Sequence, residues 1–153
     1  MPLARAIAGW AWGGVVTALG CGTAPCEEDV RAQVLDERVT LQVGDEAVEA
    51  ELADEPTERE RGWMHRACER EGLLLVSDEP GELPVWGCEL VAPIDVHWVR
   101  DGVVVELAAG LEPCPAPCDG CPIAGEGLVV DAVLETPTGA LRAAVGARVS
   151  GWQ

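Results

Sequence analysis

The 153-residue sequence contains no lysine, asparagine, tyrosine or phenylalanine. Those four types share AT-rich codons, so a GC-rich genome accounts for their absence and no function is built on it. Positive charge is scarce. Ten arginines face 27 acidic residues, for a formal charge of −17. That balance argues against nucleic acid as a partner, because phosphates need clustered cations. Anionic lipid headgroups are disfavoured for the same reason. Solubility is the simplest use of the acidity, and a cationic partner or loosely held divalent ions are compatible with it. No serine-nucleophile motif, phosphate loop or H-E-x-x-H helix occurs. There is no internal repeat.

Long apolar runs are also few. The longest, from Ala6 to Gly20, follows Arg5 and suits a signal-peptide core better than a membrane span, which needs roughly 17–25 residues. Small residues then lead into Cys21. The order Ala18-Leu19-Gly20-Cys21 resembles a bacterial lipobox, with Ala and Leu in exchanged places. The expectation is a lipoprotein: residues 1–20 a signal peptide, Cys21 the lipidated N-terminus, and the membrane the partner through the anchor. Two or more chains give stable attachment, each buried methylene contributing about 0.8 kcal/mol. A plain exported chain or an uncleaved start are the alternatives. Gly22 in place of Asp favours the outer membrane by resemblance to Gram-negative sorting patterns, on its periplasmic face.

Seven cysteines occur, and removing Cys21 leaves an even set of six: Cys26, Cys68, Cys88, Cys114, Cys118 and Cys121. In an exported chain that pattern reads as up to three disulfides. The stretch "CPAPCDGC" has the spacing C-x3-C-x2-C. Thiolates so spaced also hold clusters in iron–sulfur enzymes, but an oxidising compartment converts the thiols first. Zinc would need a fourth ligand such as His65, His97 or Asp119. Prolines stiffen the loop, which suits cross-linking. No metal and no cofactor is expected.

Residues 21–37 read as a tether and 38–153 as one domain. "RVTLQVG" and "AVEAELA" alternate apolar and polar residues on either side of "GDE", a β-hairpin pattern. "PTERERGWMH" carries proline and acids early and arginines late, predicting a short helix over 56–65. Short apolar segments follow at 73–77, 84–87, 94–99, 103–109 and 128–135, with Asp101-Gly102 as a hairpin turn. "TPTGALRAAVG" suggests a second helix, and "ARVSGW" a last strand. The expected fold is mainly β: a compact sandwich or barrel of seven to eight short strands with two short helices.

The order of motifs then resembles a known family. "ELADEPTERERGWMHR", "LPVWGCELVAPIDVHWVRDGVVVE", "EPCPAPC" and "VVDAVLETPTGALRAAVGARV" are similar to the domain of unknown function 192 across about 38–152. The resemblance implies a compact, often exported β-sandwich-type domain with no established activity. Arg61, Gly62, Met64, Arg66, Trp86, Pro93, Asp95, Gly102 and Val133-Leu134-Glu135 match its pattern. Where the family has Met-Lys-Asn, this chain has Gly87-Cys88-Glu89, so chemistry needing that lysine is not inherited. Cys68 and Cys88 both depart from the pattern, which suggests that they bond each other. Cys26 would then join one loop cysteine, and the other two would pair.

The candidate ligand-binding set is Arg61, Arg66, Trp86, Glu89, Asp95 and His97. Trp offers a flat apolar surface, Arg a fork of donors for carboxylate or phosphate, and the acids general-base capacity. A purely structural network of buried ion pairs is the competing account. Asp95 and His97, two apart on a strand, point the same way. They could share a proton-transfer or metal site, or form a pair on a solvated rim. His65 sits at the helix end, where a positive charge is favoured. No catalytic residue is assigned. Three functions compete: a non-catalytic envelope lipoprotein binding a small molecule, glycan or protein near Trp86; an envelope hydrolase using Asp95, Glu89 or His97; and a metal or redox protein built on Cys114, Cys118 and Cys121.

Overall fold

A computed structural model describes residues 29–68 and 70–152. Cys21, Cys26 and the expected signal peptide lie outside the described residues. Among the described residues, nine strands and one helix follow in chain order: β1 (Arg38–Val43), β2 (Glu46–Ala53), α1 (Pro56–Arg61), β3 (Leu73–Glu82), β4 (Val85–Trp86), β5 (Ile94–Arg100), β6 (Val103–Leu111), β7 (Ile123–Ala124), β8 (Val129–Pro137) and β9 (Val149–Ser150). The protein is mainly β, as the sequence predicts. Its architecture is a curled half-barrel sheet with a small second sheet.

Seven strands form the large sheet in the order β6-β5-β8-β3-β2-β1-β9, and β4 pairs with β7 in the small one. β1 and β2 form the expected antiparallel hairpin. β5 and β6 form another, turning at Asp101 and Gly102. Both turn residues have positive φ, 50° and 67°, as a tight two-residue turn requires. β2 runs parallel to β3, a pairing that the long connection through α1 makes possible. At the far edge, Val104 N donates to Ala147 O at 2.9 Å and Val149 N to Gly102 O at 2.8 Å. These bonds draw the two outer edges of the sheet together.

Alternation along the strands creates two cores. Leu41, Val43, Ala50, Leu74, Val99, Val104, Ala132, Leu134 and Val149 pack on one face, with at least one side chain from each of the seven strands. Leu73, Leu75, Ile94, Val96, Trp98 and Val133 point to the other face. There they are covered by Trp63, Val85 and Leu90. The central strands β3, β5 and β8 are therefore buried on both faces, and the functional question becomes what covers the second face.

Two expected elements differ. The helix stops at Arg61 because Gly62 takes φ 45° and its N–H closes on Glu58 O at 3.0 Å. "TPTGALRAAVG" forms no helix. β8 continues through Pro137, and the segment after it is turns with Gly139 and Gly146 at positive φ. The Asp95 carboxylate accepts from Gly139 N at 2.8 Å, which holds this segment against β5 instead of letting it coil.

The cysteine loop is cross-linked as the spacing suggests, but with different partners. Cys88 bonds Cys118, and Cys114 bonds Cys121. The expected Cys68–Cys88 pair is thus corrected, and no loop cysteine is left for Cys26. Cys68 is itself disulfide-bonded. The reason is local: Cys114 N donates to Gly87 O at 2.7 Å and Glu89 N to Cys114 O at 2.8 Å, so the loop crosses directly over 87–89. A Cβ on Gly87 would lie 2.1 Å from Glu112 O, closer than any real contact. The departures Gly87 and Cys88 from the family pattern are therefore one device: the first admits the crossing backbone and the second ties it down. Replacing Cys88 and Cys118 together by serine is expected to cost about 2–4 kcal/mol, the entropy of reopening the loop they close. Urea unfolding of the double variant against wild type checks this.

Candidate functional site

The segment after α1 builds the site. Gly62 ends the helix and turns the chain inward, and its backbone lies so close to Glu135 that an added Cβ would sit 3.3 Å from both carboxylate oxygens. Trp63 then packs into the second core at 5 % exposure. Arg66 follows beneath it, its guanidinium 5.1 Å from the Trp63 ring centroid. That is a cation–π distance.

Arg66 is fully buried and is neutralised by Glu51 of β2, at 3.0 Å between Nη2 and Oε2. Glu51 is a hub. It also receives Arg70, Arg38 at 3.6 Å and the backbone N–H of Leu35 at 2.9 Å. Burial raises the Glu51 pKa, but the Leu35 N–H, Arg66 and Arg70 outweigh it and hold the group below its ordinary value. For Arg66, burial lowers the pKa and Glu51 opposes it. This layer is the floor support of the site.

Above it opens a pocket of about 260 Å³ lined by Trp63, Met64, Leu75, Val85, Trp86 and Leu90, with Arg59, Glu60 and Arg61 of α1 along one side and Glu135 of β8 among the lining residues. Trp86 stands at the rim, 40 % exposed. A wider groove past Glu60, Arg61, Met64 and Trp86 continues toward Gln33, Val34 and Leu35. Arg59 is tied to Val76 O at 2.9 Å and to Asp54 O.

Glu135 is the unusual member. It is 2 % exposed, and its Oε2 has no hydrogen-bond partner among the described residues. Burial pushes its pKa up to about 7, against the pull of the Arg66 charge and the Trp63 N–H. A carboxyl poised near neutrality at the edge of an apolar pocket can donate or accept a proton, or bind a donor.

The sequence-derived candidates divide. Trp86 and Arg61 line the pocket, and Arg66 lies buried beneath Trp63. Glu89 sits to one side, its carboxylate 3.1 Å from His65 Nε2 and its carbonyl accepting from His65 N at 2.9 Å. Both residues have positive φ, 62° for His65 and 51° for Glu89. Such backbone costs about 1–3 kcal/mol for a residue other than glycine. Asparagine, the family residue at position 89, tolerates that conformation better.

Asp95 and His97 share a face, as their spacing predicts, but they alternate with Ile94, Val96 and Trp98 and so point away from the pocket. Neither is a solvated rim residue. Asp95 is 6 % and His97 1 % exposed. Asp95 binds the backbone N–H of Gly110 and Gly139, both at 2.8 Å, which is a turn-holding role. Burial lowers the His97 pKa, more than the backbone of Leu134 and Ala143 and the Asp95 charge restore it. With Asp95 and His97 on the sheet face turned away from the pocket and Glu89 paired with His65, the trio of Asp95, Glu89 and His97 does not converge. The three loop cysteines are spent on disulfides, and among the described residues no cluster of His, Cys, Asp and Glu could hold a metal ion. Glu135 and Glu51 carry no site role in the sequence reading. Glu135 appears there only as part of the Val133-Leu134-Glu135 family match, and Glu51 only as one of three acids along β2.

The family model of the domain of unknown function 192, described as "Uncharacterized ACR", matches residues 39–150. The chain belongs to this family. Two solved structures share the fold. A protein of unknown function from Novosphingobium aromaticivorans DSM 12444 is 26% identical, with TM-score 0.64, covering 90% of this chain and 99% of that one. A protein of Sinorhizobium meliloti 1021, provisionally described as a transcription regulator, is 22% identical, with TM-score 0.65, covering 78% and 97%. No curated protein matches the chain. Family and neighbours are alike uncharacterised, so function rests on the geometry. The disulfides indicate a location outside the cytoplasm. No helix among the described residues is long and apolar enough to cross a membrane.

Proposed function

We infer that the protein is a lipid-anchored module of the bacterial cell envelope that binds a small molecule in the pocket between Trp86 and Glu135. The carrying observation is the combination of an apolar, aromatic-walled concavity with a buried carboxyl oxygen that no group among the described residues satisfies. Small-ligand sites have that composition: many apolar walls and few convergent polar atoms. The volume, just below the usual drug-sized range of about 300–1,000 Å³, sets the ligand size. The lipobox-like run ending at Cys21 and the disulfides support the envelope assignment.

A library of small metabolite-like compounds screened by thermal shift tests the pocket. Ligands are expected to raise the Tm of wild type and to lose at least a tenfold share of affinity in Trp86→Ala, since truncating an aromatic anchor typically costs about 2 kcal/mol or more. Hits insensitive to Trp86→Ala would place binding elsewhere. The anchor is tested separately: wild type should fractionate with membranes and Cys21→Ala should be released.

A further inference from the structure

Resting on the pocket proposed above, a more specific question is which chemical class of ligand it takes. Glu135 is the deciding group. Its Oε2 is buried without a donor among the described residues, and a buried acceptor left unpaired costs about 1–3 kcal/mol. Such an atom is completed by an N–H or O–H brought by a ligand. The remaining walls near it, Leu75 of β3, Val85 and Trp86 of β4, Leu90 and Ile123 of β7, offer hydrocarbon and an indole ring. Indole faces favour cations.

Charged groups that could spoil a cationic ligand are accounted for. Arg66, beneath Trp63, acts on Glu135 through its charge, but Glu51 at 3.0 Å is its direct ion-pair partner and offsets that charge. Arg59 is bound to backbone carbonyls of Asp54 and Val76. Arg61 is exposed, and Glu60 beside it offers compensating charge along the same wall. β3, β4 and β7 present only apolar side chains to the pocket. The chain as a whole, at −17, concentrates cations and repels anions.

We propose that the pocket selects a small primary ammonium compound with an apolar body, its nitrogen donating to Glu135 Oε2 and its hydrocarbon lying along Leu75, Val85, Leu90 and Trp86. The competing arrangement is a neutral ligand whose oxygen accepts from protonated Glu135. The two differ in proton balance. An ammonium demands the carboxylate, so a protonated Glu135 releases its proton on binding. A neutral acceptor demands the acid, so an ionised Glu135 takes one up.

Isothermal titration of the full chain with n-butylammonium chloride and, separately, n-pentanol decides it, run in buffers of different ionisation heat. With n-butylammonium the expected result is net proton release on binding near pH 6, falling toward zero as the pH rises well above 7. Affinity should drop at least tenfold in Glu135→Gln and in Trp86→Ala, with n-pentanol at least tenfold weaker than the amine in wild type. Binding of n-pentanol with proton uptake, or equal affinity for both probes, overturns the ammonium assignment and leaves the pocket standing. Failure of both probes to bind overturns the assignment and counts against the pocket as well.

Discussion

Glu51→Ala is expected to lower stability at neutral pH by about 3–5 kcal/mol, the range for removing one partner of a buried ion pair. The reason is what remains. Arg66, with no exposed side-chain surface, would keep its charge beneath Trp63 with, among the described residues, only Glu135 nearby to oppose it. Among the described residues Nε and Nη1 of Arg66 already lack hydrogen-bond partners, so losing the Nη2 contact strips the guanidinium of its one strong acceptor there. Arg70, Arg38 and the Leu35 N–H lose their shared acceptor too. Glu51→Gln retains an acceptor for Leu35 but not the charge, and should fall between wild type and Glu51→Ala. The penalty should shrink on acidification. The Glu51 pKa is held down in the fold, so its contribution is present above its unfolded pKa and is lost as the pH falls through the folded value. Urea unfolding at neutral and acidic pH measures both effects.

Glu135 is expected to act in the opposite sense. Its pKa lies at about 7 in the fold against 4.5 for a free side chain. Between those values the folded protein holds a proton that the unfolded chain has released. Its contribution is therefore fully present below the unfolded value and is lost as the pH rises through 7. The difference amounts to about 3 kcal/mol, at about 1.4 kcal/mol per unit. Glu135→Gln removes the titration while keeping the shape. Relative to wild type, the variant should gain about 3 kcal/mol in stability between about pH 4.5 and pH 8. A flat difference across that range would show that the carboxyl titrates normally. The unfavourable burial of an ionisable group at a pocket is the kind of local cost that functional sites carry.

Much of the fold was legible in local pattern. The β1–β2 hairpin followed from period-two alternation and β5–β6 from Asp-Gly, because both signals are carried by neighbouring residues. The helix in "TPTGALRAAVG" was not real because a contact distant in sequence, Asp95 to Gly139, decides that segment. The disulfide partners escaped for the same reason. Spacing shows that the loop is stitched but not that Gly87 lets it cross over Cys88. At the site, Trp86 and Arg61 could be found from the family motif. Asp95 and His97 could not be excluded from it, since alternation tells which residues share a face but not which face meets the pocket. Glu51 reads as one more acid on the exposed side of β2. Only the return of Arg66 from beyond α1 makes its burial sensible.

The central claim is that the concavity beside Trp86 ends on a carboxyl left incompletely paired and poised near neutrality. Carbon-13 NMR of the side-chain carboxyls, with the Glu135 signal assigned by its loss in Glu135→Gln, reads this directly in the ligand-free protein. A titration midpoint near 7 is predicted. A midpoint close to the free-glutamate value of 4.5 would mean that solvent or an undetected donor satisfies the group, and would contradict the account.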